Sequence, residues 1–403
     1  MEVYIARQPI FNKKQKVKAY ELLCRDGLVN RCSERDGNRA TSKLLSNSFL
    51  GFGIQQLTGG KRAFVNFTRE LLLEKVPCMF PSDILVVEIL EDIEPDKEVI
   101  NACKEIKDLG YDLALDDFVY KPSLVPLIEL SSVIKLDFRV TPKDLIKHYI
   151  DKLVEYRVKF LAEKIETYDE FKEAVEMGFH LFQGYFFSKP HVFKEKDIAP
   201  SKLNLLRIMA EVNKEDFKFE ELDKLIKRDV SISYKLLRYI NSAYFRRLKE
   251  ISSIKQAIVL LGEVGIKRFL SLITMTRLAS NKPDELIRSS VIRARFCELL
   301  GKGCGAREDI SELFTLGLFS LIDAILDSPM ELLMNRLPLS DDLKKALISR
   351  QGKLSPYLEL VCAYEAGKWD EISQIARDLG ISELKLPEYY IDSVVWSDSY
   401  ASI

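Results

Sequence analysis

The apolar positions of this chain follow two rhythms, one on each side of a polar stretch near residue 200. In the first half they come as short, nearly unbroken runs. VYIARQPIF (3–11) and VKAYELLC (17–24), parted by the turn-prone, basic NKKQK, predict an antiparallel hairpin. Strand and helix patterns then alternate. Helix-like residues 39–57 lead to AFVNF (63–67) and TRELLLEKV, and ILVVEIL (84–90) leads to a helix starting near Pro95. LALDDF (113–118) and VIKLDF (133–138) precede a helix over 142–156, KFLAEKI (159–165), a helix over 168–177 and LFQGYFF (181–187). Unbroken apolar strands are expected where helices cover a parallel sheet. Eight strands in about 190 residues predict a TIM-like (β/α)8 barrel with an antiparallel first strand, ahead of an open doubly wound sheet.

After HVFKEKDIAPSKLNL (191–205), strand signals vanish. Apolar residues recur at three- and four-residue spacing in ISYKLLRYINSAYF, IKQAIVLLGEVGIKRFLSLITM, ELIRSSVIRARFCELLGKG and SELFTLGLFSLIDAILD, which predicts several short helices in an all-α domain. The expected division is a barrel over 1–195, a linker over 196–204 and a helical domain over 205–403. In its C-terminal helical tail Trp369, Trp396, Tyr389 and Tyr390 are read as packing residues.

Composition narrows the partners. Net charge is −1, with 60 basic and 61 acidic residues, and neither half is basic. No nucleic-acid polymer or anionic membrane is therefore expected as a partner, and a phosphate-bearing ligand must be small and met locally. No apolar run reaches membrane-spanning length, and MEVYIARQPIFNKK lacks the apolar core of a signal peptide. The seven scattered cysteines read as reduced thiols, so a cytoplasmic location is expected.

The chemistry lies where the strand runs stop. Glu21, Asn66, Glu88, Asp116, Asp117, Lys135, Glu163 and Gln183 each fall late in, or just past, an apolar run. Closing the barrel would bring these ends round one rim, where catalytic residues of such barrels gather. Carboxylates and an amide carbonyl are the ligands hard divalent ions prefer, and two such ions can clamp the oxygens of a phosphodiester. A lysine beside them could orient or activate water. Taken singly, each acid is equally well a solvated loop residue or half of a structural ion pair. The recurrence in successive units is what makes a joint site the better reading.

The ordered series QPI (8–10), ELLCR (21–25), VNF (65–67), VEILE (87–91), DDF (116–118), KLD (135–137), AEKIE (162–166) and QGYFFSKP (183–190) resembles the EAL domain, a family of cyclic di-GMP-specific phosphodiesterases. The resemblance implies a modified TIM barrel that holds two Mg²⁺ or Mn²⁺ ions and opens cyclic di-GMP to linear pGpG. It implies Glu21, Asn66, Glu88 and Asp116 as ligands of one metal, Asp117 as ligand of the second, and Glu163 as a member of the metal group. Lys135 resembles the residue that positions attacking water, and Gln183 one that holds a water or ion nearby; with Glu163 they form the implied catalytic set. Gln8, Arg25, Asp137 and Pro190 correspond to substrate-contacting positions, and Glu91 and Glu166 to residues that brace the loop after Asp117.

Two departures bear on turnover and assembly. The family's DDFGTGYSSL stands here as Asp116-Asp117-Phe118-Val119-Tyr120-Lys121-Pro122-Ser123-Leu124, without the glycines and with a proline added. SERDGNRAT (33–41) replaces the family's usual stretch between Glu21 and Asn66, which leaves open whether the chain forms a homodimer.

In the second half, DVSISYKLLRYINSAYF…ISSIKQAIVLLG (229–262) resembles the HDOD domain at Asp229, Leu237, Asn241, Ser242, Ile254, Ala257 and Leu261-Gly262. That domain is related to metal-dependent HD phosphohydrolases but lacks their metal ligands. The residues agree independently: the only histidines, His148, His180 and His191, all precede it, and Gly317-Leu318-Phe319-Ser320-Leu321-Ile322-Asp323 carries none. Asn241-Ser242 reads as a helix-ending polar pair and His180 as a packing residue. The expected function is bacterial signalling by cyclic di-GMP hydrolysis, with the helical domain coupling to an unidentified protein. The alternative is an EAL-like barrel that binds the dinucleotide or a partner without turning it over. An aldolase using Lys135 as a Schiff base fits poorly, because neighbouring carboxylates keep such a lysine charged.

Overall fold

The computed structural model describes residues 3–26, 54–189, 230–241, 251, 253–279, 282–306, 310–335, 337 and 339–401. The predicted linker over 196–204, most of the helix expected over 39–57, and Asp229, Ser242 and His191 lie outside them.

Eight strands close into one barrel in chain order: β1 (Val3–Asn12), β2 (Val17–Asp26), β3 (Arg62–Phe67), β4 (Leu85–Ile89), β5 (Asp112–Leu115), β6 (Val133–Asp137), β7 (Lys159–Glu163) and β8 (Leu181–Gln183). As the pattern predicts, β1 is antiparallel to both β2 and β8, while every other neighbouring pair is parallel. The helices between strands are amphipathic. Lys97–Asp108 buries Val99, Ala102, Cys103 and Ile106, and starts where the Asp96 side chain accepts from the Val99 amide. Tyr168–Glu176 starts on a reciprocal pair between Thr167 and Glu170.

The last strand is shorter than its apolar run suggests. β8 stops at Gln183, and Tyr185–Ser188 turns as a 3-10 helix. Gly184 sets the break, with φ 139° and so little room that a Cβ there would stand 2.1 Å from the Ile165 carbonyl oxygen.

One residue from each of seven strands forms a single apolar layer: Ile10, Ala19, Phe64, Val86, Ala114, Val133 and Leu161, with Leu181 of β8 packed against it. Side chains two apart on a strand share a face. The next inward positions are therefore Gln8 on the reversed β1, then Glu21, Asn66, Glu88, Asp116 just past β5, Lys135, Glu163 and Gln183. A plug of hydrocarbon thus floors a ring of polar groups.

By contacts the chain divides into two units: 1–189 with Ala363–Gln374, and 190–362 with Ile375–Ile403. In the first, Trp369 packs on Tyr4 of β1 and on Tyr364. The second is helical over its described residues, as predicted. Its core includes Leu236, Ile240, Ile258, Ile266, Phe269 and Ile273. Two helical stretches meet at Gly262 (φ 67°, ψ 179°) within Ile254–Leu278, a break at a positive φ that glycine adopts without strain, in keeping with the several short helices expected. The Asn241 side chain donates to the Leu237 and Ile251 carbonyls and accepts from the Ile251 amide, tying the helix end to the next segment. Trp396 packs against Phe314. No helix among the described residues is long and apolar enough to cross a membrane. Cys78, Cys103, Cys297, Cys304 and Cys362 are free thiols.

Candidate metal-binding active site

The Lys135 ammonium stands at the centre of the polar ring. Its Nζ lies 2.7 Å from Glu88 Oε1, 2.7 Å from Asp116 Oδ1, 3.0 Å from Glu163 Oε1 and 3.4 Å from Glu21 Oε1. Acids distant in sequence thus converge on one point. Lys135 and Glu88 are both fully buried.

The electrostatics of this cluster are lopsided. One ammonium faces four carboxylates, and taking those charges out of water is costly unless they are compensated. Burial pushes the Glu88 carboxyl well above its usual range, with Glu21 and Asp116 adding to the rise and Lys135 opposing it. Burial likewise pushes Glu163 up to about 8, against the pull of Lys135. Burial alone would lower Lys135, but Glu21, Glu88, Glu163 and Asp116 outweigh it and hold the ammonium well above its ordinary value. Schiff-base chemistry needs the free amine, which this raised pKa disfavours.

Gln183 links the two ends of the barrel closure. Its Nε2 donates to Gln8 Oε1 at 2.9 Å and to Glu21 Oε2 at 2.6 Å, which fixes both side chains. Asn66 is half-buried on the same ring.

The ring's composition fits divalent cations. Glu88 Oε2 and Gln183 Oε1 are buried without a hydrogen-bond partner, and the four carboxylates share the one ammonium of Lys135. As the side chains stand, no three acidic, cysteine or histidine groups among the described residues close into a metal cluster. Each of the four acids turns one oxygen towards Lys135 at the middle. Oxygen donors of this number and charge are those Mg²⁺ and Mn²⁺ take.

Outside the ring, Asp117 sits at φ 36° just beyond β5, partly exposed. Asp137, the last residue of β6, accepts from the Arg139 and Val140 amides through Oδ1 and from Lys164 Nζ through Oδ2 at 2.6 Å. Burial pushes the Asp137 carboxyl up, but Lys164 and the two amides outweigh it and hold the pKa below its ordinary value. Glu166 pairs with Arg139 and Lys189, not with the loop after Asp117, and Glu91 is exposed in the turn after β4. That loop is fastened by the Phe118 amide on the Lys135 carbonyl and by a 3-10 turn over Pro122–Leu124. The Arg25 side chain and Pro190 lie outside the described residues. His180 accepts the Phe160 amide on Nδ1, and burial lowers its pKa, so it serves the backbone as a neutral ring.

The apolar pattern did not point to Lys164. Its ammonium reaches Asp137 and comes within 3.8 Å of Asp117 Oδ1. The only signal in the sequence is a basic residue directly after the acid that ends β7.

Comparison with known proteins matches residues 53–190 to the EAL domain and residues 200–326 to the HDOD domain. The chain is 39% identical over 404 residues to the uncharacterized protein YuxH of Bacillus subtilis, covering 98% of each. It is 36% identical over 397 residues to the cyclic di-GMP phosphodiesterase CdgJ of Vibrio cholerae, covering 98% of this chain and 92% of that one. Among solved structures it is similar to the Klebsiella pneumoniae BlrP1 manganese/cyclic di-GMP complex, at 20% identity and TM-score 0.39 over 46% of this chain and 55% of that one.

Proposed function

The chain belongs to the family of EAL–HDOD proteins, and on that premise we propose that its barrel hydrolyses cyclic di-GMP to linear pGpG with Mg²⁺ or Mn²⁺. The observation that carries this reading is the convergence of Glu21, Glu88, Asp116 and Glu163 on Lys135 above an apolar floor. Glu21, Asn66, Glu88 and Asp116 would hold one ion and Asp117 the other, with Glu163 a further member of the metal group. Bound there, divalent ions supply charge neutralisation for the phosphodiester and a more acidic water at neutral pH.

The chain's own residues set the geometry. Lys135 keeps its proton, so it donates to and orients an attacking water rather than deprotonating it. Gln183 holds Glu21 and Gln8 in place through its two hydrogen bonds, and the hydrocarbon layer below keeps bulk water from the ring's inner side. Hydrolysis breaks one phosphodiester P–O bond; water adds hydroxide to phosphorus and a proton to the departing ribose oxygen. The helical HDOD unit, without histidine, carries regulation or targeting through a protein partner, and the protein works in the cytoplasm.

Purified protein incubated with cyclic di-GMP and Mn²⁺ is expected to yield pGpG on nucleotide separation. Glu21→Ala is expected to lower the rate at least about 100-fold, the scale on which disturbed metal sites lose activity. No product from the wild type under Mn²⁺ would refute the reading. The loop favours a second reading: Asp117 is left-handed, and Pro122 stiffens the turn beyond it. Tight binding of the dinucleotide without pGpG would identify the barrel as a sensor.

A further inference from the structure

The ring accounts for one side of the barrel mouth; the other side carries a cation that the proposed chemistry does not use. Lys164 directly follows β7 with φ 57°, a conformation that residues bearing a Cβ seldom adopt. The turn sends its side chain back across the mouth towards the ends of β6 and β5. There Nζ makes a 2.6 Å ion pair with Asp137 and faces Asp117 at 3.8 Å. Asp137 is anchored in turn by the Arg139 and Val140 amides, so the ammonium rests on a fixed carboxylate and not on a swinging one. Asp137 holds the ammonium more strongly than Asp117 does, and the hydrogen bond to Asp137 leads the rise in the lysine's pKa.

We propose that Lys164 is a resident cation that makes the two metal positions unequal, weakening the one at Asp117 relative to the one held by Glu21, Asn66, Glu88 and Asp116. The inference rests on the metal-dependent reading above. A divalent ion ligated by Asp117 must sit within a few ångströms of a positive charge that Asp137 pins in place. Like charges at that range repel, with water screening the effect because the Lys164 and Asp117 side chains are about half exposed. The ring ion meets this conflict less, because four carboxylates surround the central ammonium whereas Lys164 has only Asp137 and Asp117 beside it. Occupancy of the Asp117 side therefore depends on metal concentration over a range in which the ring is already filled.

The test is a Mn²⁺ titration of the full chain, followed by calorimetry and by the electron paramagnetic resonance of free Mn²⁺, with no substrate present. Wild type is expected to bind two ions with stepwise constants at least tenfold apart. Lys164→Gln, which removes the charge and keeps much of the length, is expected to tighten the weaker step tenfold or more and leave the tighter step unchanged. Lys164→Arg, which keeps the charge, is expected to retain the wild-type gap. Thermal unfolding of the metal-free variants checks that the barrel remains folded. Two Mn²⁺ steps that are the same in wild type and Lys164→Gln would overturn the proposal while leaving the metal-dependent reading intact. Equal narrowing of the gap in Lys164→Gln and Lys164→Arg would also overturn it, since shape and not charge would then be responsible. A wild-type chain that binds no Mn²⁺ would overturn both.

Discussion

A buried lysine among four carboxylates fixes the behaviour of the site before any ligand arrives. Lys135→Met keeps the volume and removes the cation that lies against Glu88. Breaking a buried ion pair leaves uncompensated charge and typically costs about 3–5 kcal/mol. Urea unfolding of the metal-free variant is therefore expected to show a loss of about 3 kcal/mol, limited by protonation of the acids. Added Mn²⁺ should recover part of it. Most of the ring was legible in the sequence because its members fall late in, or just past, apolar runs, as Glu88 follows LVV and Glu163 follows FLA. The contacts of Asp137 and Glu166 were not. Both carboxylates are taken by cations, Lys164 for one and Arg139 with Lys189 for the other, and such pairings depend on how loops fold over the rim.

At the level of elements, the strands were readable from continuous hydrophobicity and the helices from three- and four-residue spacing. Their ends were not. LFQGYFF is apolar on both sides of Gln183 and Gly184, yet the strand stops at Gln183, where Gly184 passes so close to Ile165 that only a residue without a side chain fits. Gly184→Ala combines that clash with φ 139°, and overpacking and backbone strain each cost about 1–3 kcal/mol. A loss of about 3 kcal/mol in denaturant unfolding is expected, with weakened closure between β7 and β8. Gly262 does the same for the helical unit, ending one helix inside a run whose apolar spacing is uninterrupted.

Across the whole molecule, each unit has its own core, and only the first carries the ring of acids. An ion that binds the folded barrel stabilises it by mass action. Mn²⁺ is expected to raise the unfolding transition of the barrel and leave that of the helical unit unmoved. The effect should grow with pH. Glu163 in the folded, metal-free barrel is pushed up to about 8, above the unfolded value near 4.3. Its contribution to stability is complete below the unfolded value and is lost as pH rises through about 8, so the metal-free barrel weakens over that window. Metal requires the ionised carboxylate, so binding strengthens over the same window. Differential scanning calorimetry at about pH 6 and about pH 8, with and without Mn²⁺, should show the larger shift at the higher pH. An equal or smaller shift there would mean that Glu163 is already ionised in the metal-free barrel at the lower pH.

The apolar layer one step below the ring has a consequence for how this gene can change length. Between Val86 and Glu88, or Leu161 and Glu163, there is a single intervening residue, and losing it would turn the carboxylate outward into the surrounding helices. The strand's overall hydrophobicity would hardly alter. Insertions and deletions are therefore expected to be tolerated in the connections between strands, whereas a one-codon slip inside a strand would empty the mouth of a ligand.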